Sequence, residues 1–97
     1  MNSKIVLISR SGYSKDHDTL LKELIESGIE LFCAVGIDCE KWEEAMDWIC
    51  VELDANNINP GVCCTTTSHP DESIEDAIFF AENWSGEKNG KVEIIEI

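Results

Sequence analysis

Residues 62–81 read V-C-C-T-T-T-S-H-P-D-E-S-I-E-D-A-I-F-F-A and contain the clearest signal of the fold class. An apolar, β-branched run stops at a polar cluster around His69, and a segment of helical periodicity follows at once. This pattern indicates a strand that leads through a short loop into a helix. In alternating α/β proteins, ligands and partners bind at such strand ends. The stretch therefore predicts a fold class and the place of a site, but it names no reaction.

Outward from this stretch, apolar runs alternate with helical patterns along the chain. We predict strands at residues 4–9, 30–36, 62–66 and 91–97, and helices at 16–27, 40–55 and 71–84. The first run is aliphatic at residues 5–8, as in a strand buried on both faces, and the last alternates partly with acids, as an edge strand does. The order βαβαβαβ predicts one domain over residues 1–97, with a four-stranded, mostly parallel sheet in three layers. This would be a minimal flavodoxin-like or Rossmann-like fold.

Helical spacing also predicts the core and the helix starts. Asp38 suits the N-cap of the second helix, and Ser68 or Asp71 suits the start of the third. The side chains expected to be buried against the sheet are Trp42, Met46, Ile49, Leu53, Ile74 and Ile78.

The charge balance limits the classes of partner. The chain has 20 acidic and 7 basic residues, a formal net charge of −13 at pH 7. Such a chain is repelled by nucleic acid and by anionic membrane surfaces, so a partner bound electrostatically should be a basic protein. No secretory leader and no apolar run of membrane-spanning length is visible, and we expect a cytoplasmic protein.

The cysteines favour reduced thiols over a scaffold. Their number is odd and no C-x-x-C occurs, so neither a disulfide framework nor a structural zinc site is predicted. They are Cys33, Cys39, Cys50, Cys63 and Cys64. No nucleotide-binding fingerprint follows the first strand, and His17 is expected at a solvent-facing helix start. We therefore predict no cofactor and no metal.

Parallel strands end at one edge of their sheet, so the segments that follow them should meet there. The resulting binding crevice is predicted to contain Asp38, Cys39, Thr67, His69, Asp71 and Glu72. Its acidic groups favour a basic side chain of a partner over a phosphate.

Two of these residues are candidate catalytic groups. Cys39 would lie at a helix N-terminus, where the dipole favours the thiolate, and His69 could act as its general base. His69 could equally serve to end the strand while its neighbours cap the next helix. No third group that would orient a catalytic pair is evident in the sequence.

Apolar residues away from the core stripes indicate a second kind of site. Trp48 and Val51 lie off the buried stripe of their helix, and Phe79 lies opposite the stripe of the third helix. They predict a protein interface, and the alternative is lateral packing between neighbouring helices.

Two short stretches carry a family resemblance. The first, Gly-x-Asp-Cys-x-x-Trp, falls on Gly36, Asp38, Cys39 and Trp42. The second, Thr-Thr-x-His-x-Asp-Glu, falls on Thr66, Thr67, His69, Asp71 and Glu72. Together they resemble a family of small, uncharacterised bacterial proteins known only as a domain of unknown function. The resemblance covers over half of the chain and implies no activity, but it points to the same two strand ends.

Three functional hypotheses remain open from the sequence. The first is an acidic protein-binding module, a regulator or an inhibitor of the immunity type, that engages a basic partner. The second is a small thiol-dependent enzyme that uses Cys39 and His69. The third is a structural subunit that forms a homo-oligomer through its edge strand or through the surface at Trp48.

Overall fold

The computed structural model describes residues 4–55, 64–84 and 91–97. The strands are β1 (Lys4–Ser9), β2 (Leu31–Gly36), β3 (Thr65–His69) and β4 (Val92–Glu96), and the helices are α1 (Asp18–Glu26), α2 (Cys39–Ala55) and α3 (Ile74–Asn83). A short 3-10 helix, Lys15–His17, precedes α1. All pairings between the strands are parallel, in the order β3-β2-β1-β4. The predicted α/β fold with a four-stranded parallel sheet is therefore confirmed.

The strand order decides which face each helix covers. The connections from β1 to β2 and from β2 to β3 move in one direction across the sheet, and the connection to β4 moves back past β1. Because such crossovers are right-handed, α1 and α2 lie on one face and α3 lies on the other. The order is that of the first four strands of the Rossmann arrangement and differs from the flavodoxin-like order.

Two hydrophobic clusters, one on each side of the sheet, form the core. The face under α1 and α2 buries Trp42, Met46 and Ile49, as predicted from their spacing. Every residue of β1 is buried, which confirms its central place, and β4 lies at one edge as expected. The side chain of Leu53 lies outside the described residues.

The face under α3 differs from the prediction. Ile74 and Ile78 are only half-buried, whereas Ala77 and Ala81 are fully buried between α3 and the sheet. The small alanine side chains let α3 approach β1 and β2 closely, and the two isoleucines then flank the contact.

The third strand begins later than predicted. It spans Thr65–His69, so His69 ends the strand and does not follow it, while residues 62–63 lie outside the described part. Its register on β2 runs from Leu31 opposite Thr65 to Val35 opposite His69. The helix after it also starts later, at Ile74, because Ser73 is its N-cap and accepts a hydrogen bond from the Asp76 backbone N–H at 3.1 Å. Neither Ser68 nor Asp71 caps this helix.

Candidate functional site

Asp38 joins the loop after β1 to the loop after β2. Its Oδ2 accepts a hydrogen bond from the backbone N–H of Tyr13 at 3.2 Å. The backbone of Asp38 is left-handed, with a φ of 59°. Gly12 lies against the same carboxylate, since a Cβ added at Gly12 would be only 2.8 Å from Oδ2. The carbonyl of Asp38 accepts the first hydrogen bond of α2, from Trp42, so Asp38 holds the predicted N-cap position. The carboxylate therefore supports the loop, and only its Oδ1 faces a cation, Lys41 Nζ at 4.0 Å.

Beneath this loop lies a cluster of aromatic rings around Trp42. The indole N–H donates to the buried Ser9 Oγ at 3.0 Å, and the ring stacks on His17 with centroids 4.7 Å apart. His17 is thus half-buried and not solvent-facing. Tyr13 meets the same indole edge-on, and its hydroxyl donates to Asp18. Burial together with the Asp18 carboxylate raises the pKa of Tyr13 to about 12. This cluster is packed, so it offers no open site.

His69 lies at the centre of a hydrogen-bonded chain at the end of β3. Its Nδ1 is 2.7 Å from Oε2 of Glu72, its Nε2 is 3.0 Å from Oγ1 of Thr67, and only 5% of the residue is exposed. Thr67 is in turn hydrogen-bonded to the thiol of Cys33, whose pKa is raised by its burial and by the charge of Glu72. The buried thiol therefore stays protonated near neutral pH and is not a nucleophile. This series of hydrogen bonds holds the turn that leads into α3 in place.

Cys39 and His69 lie on opposite faces of the sheet. Cys39 is buried in the cluster under α1 and α2. The ring of His69 is turned the other way, to α3, where its centroid lies 5.2 Å from that of Phe80. The structure thus does not assemble the thiol–imidazole pair that the sequence suggested, because α2 and α3 cover different faces.

The predicted crevice is divided in the same way. Thr67, His69 and Glu72 are brought together on the α3 side, with Asp71 exposed in the adjoining turn. Asp38 and Cys39 belong to the α2 side. There they line a shallow depression of about 620 Å³ whose other residues are Glu40, Lys41, Glu43 and Glu44. Within the described ranges, no three His, Cys, Asp or Glu side chains are placed to hold a metal ion.

Sequence reasoning did not single out Cys33, Phe80 or the partners of the alternate residues of β3. Thr66 and Ser68 point to the α2 side, where their hydroxyls donate to the carboxylates of Asp47 and Glu43. The alternation of a strand was the available signal, because it separates Thr66 and Ser68 from Thr67 and His69. We predicted the strand over residues 62–66, so the alternation over Thr65–His69 was not recognised.

The predicted interface residues form two separate surfaces. On the outer face of α2, Trp48 and Val51 are 66% and 57% exposed, and with Glu44 and Asp47 they line a depression of about 360 Å³. Phe79 is 67% exposed but lies on α3, across the sheet. Trp48 and Phe79 are therefore not buried by packing between neighbouring helices, and they lie on two separate surfaces.

Comparison with known proteins identifies a family but no function. The chain belongs to the family described as Domain of unknown function (DUF7684), whose model matches residues 2–96. The match confirms the resemblance to an uncharacterised domain family and extends it over the N-terminal third. No curated protein and no solved structure matches the chain. In the part of the chain that the structure describes, no helix has the length and apolarity needed to cross a bilayer.

Proposed function

We propose that this member of a family without an assigned function is an acidic protein-binding module that engages a basic partner through the outer face of α2. One observation carries the proposal: Trp48 is 66% exposed beside Glu44 and Asp47. A large indole left in water among carboxylates loses the free energy that its burial would contribute. Contact with a partner would recover it.

The chemistry of this surface suits arginine or lysine. An indole face attracts a cation within about 6 Å of its centroid, and a neighbouring carboxylate adds a charge-assisted hydrogen bond. Val51 supplies an apolar contact one turn further along the helix. Tryptophan and arginine are also the residues that most often dominate binding energy in protein interfaces.

Glu44 and Asp47 can bind such a partner, and Asp47 also accepts a hydrogen bond from the Thr66 hydroxyl. The ion pairs given by the described residues engage Glu96, Asp38 and Glu72, and none of them engages Glu44 or Asp47. With a net charge of −13, the rest of the chain would add long-range attraction for a basic protein and would repel nucleic acid.

We further propose that the module is a small bacterial regulator, such as an inhibitor or immunity-type protein, that acts in the cytoplasm. Cys33, Cys39 and Cys50 are buried and form no disulfide, which suits a reducing compartment. Binding without catalysis also accords with the separation of Cys39 from His69.

The other two hypotheses receive less support. A thiol-dependent enzyme would need Cys39 beside a base, and His69 is turned to the other face. A homodimer built on Trp48 would place Glu44 and Asp47 of one copy against the same carboxylates of the next, because a two-fold interface uses one patch twice. Like charges brought together in this way oppose association.

The test is quantitative capture from a bacterial host lysate on three immobilised forms: wild type, Trp48→Ala and Phe79→Ala. Phe79 is the matched control because it is equally exposed but lies on the opposite face. We expect wild type and Phe79→Ala to retain the same basic protein in a one-to-one ratio. Trp48→Ala should capture at least about tenfold less of this protein than wild type does. The amount captured by wild type should fall as the salt concentration is raised.

Equal capture by Trp48→Ala and wild type would overturn the assignment to α2. Capture that is independent of salt, or limited to acidic proteins, would overturn the charge argument. A circular dichroism melt of each variant verifies that all three forms are folded.

A further inference from the structure

The outer edge of β3 carries backbone groups that no described strand pairs with. Among the described strands, β3 pairs only with β2, so its other side has no strand partner. The backbone N–H of Thr65 donates to Glu30 on the β2 side at 2.8 Å. Because strand residues alternate, the N–H and carbonyl groups of Thr66 and Ser68 point away from the sheet. These groups are what an added strand would bind.

The two sides of this edge differ in chemistry. On the α2 side, the hydroxyls of Thr66 and Ser68 hold the carboxylates of Asp47 and Glu43 next to the strand. On the α3 side, α3 packs over β2 and β1, and its Phe80 lies beside His69 with 38% of its surface exposed. A strand laid along the edge would thus meet carboxylates on one face and an aromatic ring on the other.

We propose that β3 accepts an extended segment of the basic partner as an added strand, with lysine or arginine side chains facing α2 and apolar side chains facing α3. Successive side chains of a strand point to opposite faces, so the segment alternates basic and apolar residues. Its backbone pairs with the outward groups of Thr66 and Ser68, and its basic residues pair with Asp47 and Glu43.

This inference rests on the proposed function and specifies how the partner binds. Asp47 links the two surfaces, because it both accepts from Thr66 and lines the depression at Trp48. One partner can therefore add a strand at β3 and contact Trp48 from the same side.

The decisive experiment uses a defined peptide with the full chain. The probe is a fluorescein-labelled nonapeptide of alternating lysine and valine, measured by fluorescence anisotropy. The control is a peptide of the same composition with its lysines grouped. Two further forms carry N-methyl groups on the lysine amides or on the valine amides. Within an added strand, the amides of one residue type all face β3, so one methylated form should lose binding by about tenfold or more while the other retains it.

Variants of the chain test the same edge from the other side. Ser68→Pro removes an outward N–H without breaking the pairing to β2, whereas Ser68→Ala removes only the hydroxyl. Both variants lose the hydroxyl contact to Glu43, so the comparison isolates the N–H: we expect Ser68→Pro to bind the probe at least about tenfold more weakly than Ser68→Ala. If Ser68→Pro does not fold, the methylated peptides still decide.

Equal binding of both methylated peptides, loss of both, or equal binding of the grouped control overturns the added strand. Unchanged affinity in folded Ser68→Pro does so as well. If the native partner is lost by Trp48→Ala but retained by Ser68→Pro, the added strand is rejected while the proposed function stands.

Discussion

At the scale of single residues, Trp42 determines how α2 meets the loop after β1. Its side chain is completely buried, stacked on His17 and hydrogen-bonded to Ser9. Replacement by alanine removes these contacts and leaves a cavity that the surrounding sheet and helices fill only in part. We expect Trp42→Ala to lower the free energy of unfolding by about 3–5 kcal/mol in urea denaturation.

Trp48→Ala is the matched control for Trp42→Ala, since both remove an indole from the same helix. Trp48 is exposed, so its loss should change the free energy of unfolding by no more than about 0.5 kcal/mol. A cost below about 1 kcal/mol for Trp42→Ala would show that the buried face of α2 has been misidentified.

At the scale of elements, the start of α3 depends on one serine. The Oγ of Ser73 accepts a hydrogen bond from the Asp76 backbone N–H, which would otherwise lack a partner within the helix. Ser73→Ala should therefore lower the free energy of unfolding by about 1 kcal/mol. Asp71→Ala is the control: Asp71 is exposed in the turn, and its replacement should cost less than about 0.5 kcal/mol. An equal or larger loss with Asp71→Ala would assign the cap to the wrong residue.

At the scale of the whole molecule, charge opposes folding. The fold carries a net charge of −13 and has a Cα radius of gyration of 12.5 Å, so its acidic side chains repel one another across the molecule. The Debye length falls from about 30 Å at 0.01 M salt to about 10 Å at 0.1 M, which screens this repulsion. We expect the melting temperature to rise between these two salt concentrations, and to do so equally in NaCl and KCl. A melting temperature that stays constant or falls would mean that self-repulsion is not a significant term.

The sequence predicted most elements of the fold because their signals are local. The aliphatic run of β1 and the helical spacing of Trp42, Met46 and Ile49 each needed only neighbouring residues to be interpreted. Prediction failed at β3, where the strand is polar on both sides. The hydroxyls of Thr66 and Ser68 are satisfied by Asp47 and Glu43 on α2, far away in the sequence, and no local pattern reveals such partners.

Local patterns were enough to establish the βαβαβαβ alternation, the burial of β1 on both faces and the acidic charge, and to place Trp48 and Phe79 off the core stripes of their helices. Which of the site residues meet depends instead on the arrangement of the strands in the sheet. The connections from β1 to β3 cross the sheet in one direction, and the connection from β3 to β4 crosses it in the other. Because each crossover is right-handed, α3 lies on the face opposite α1 and α2. For that reason His69 meets Thr67 and Glu72 and not Cys39, and Trp48 lies across the sheet from Phe79. Both separations follow from the strand order, which local periodicity does not encode.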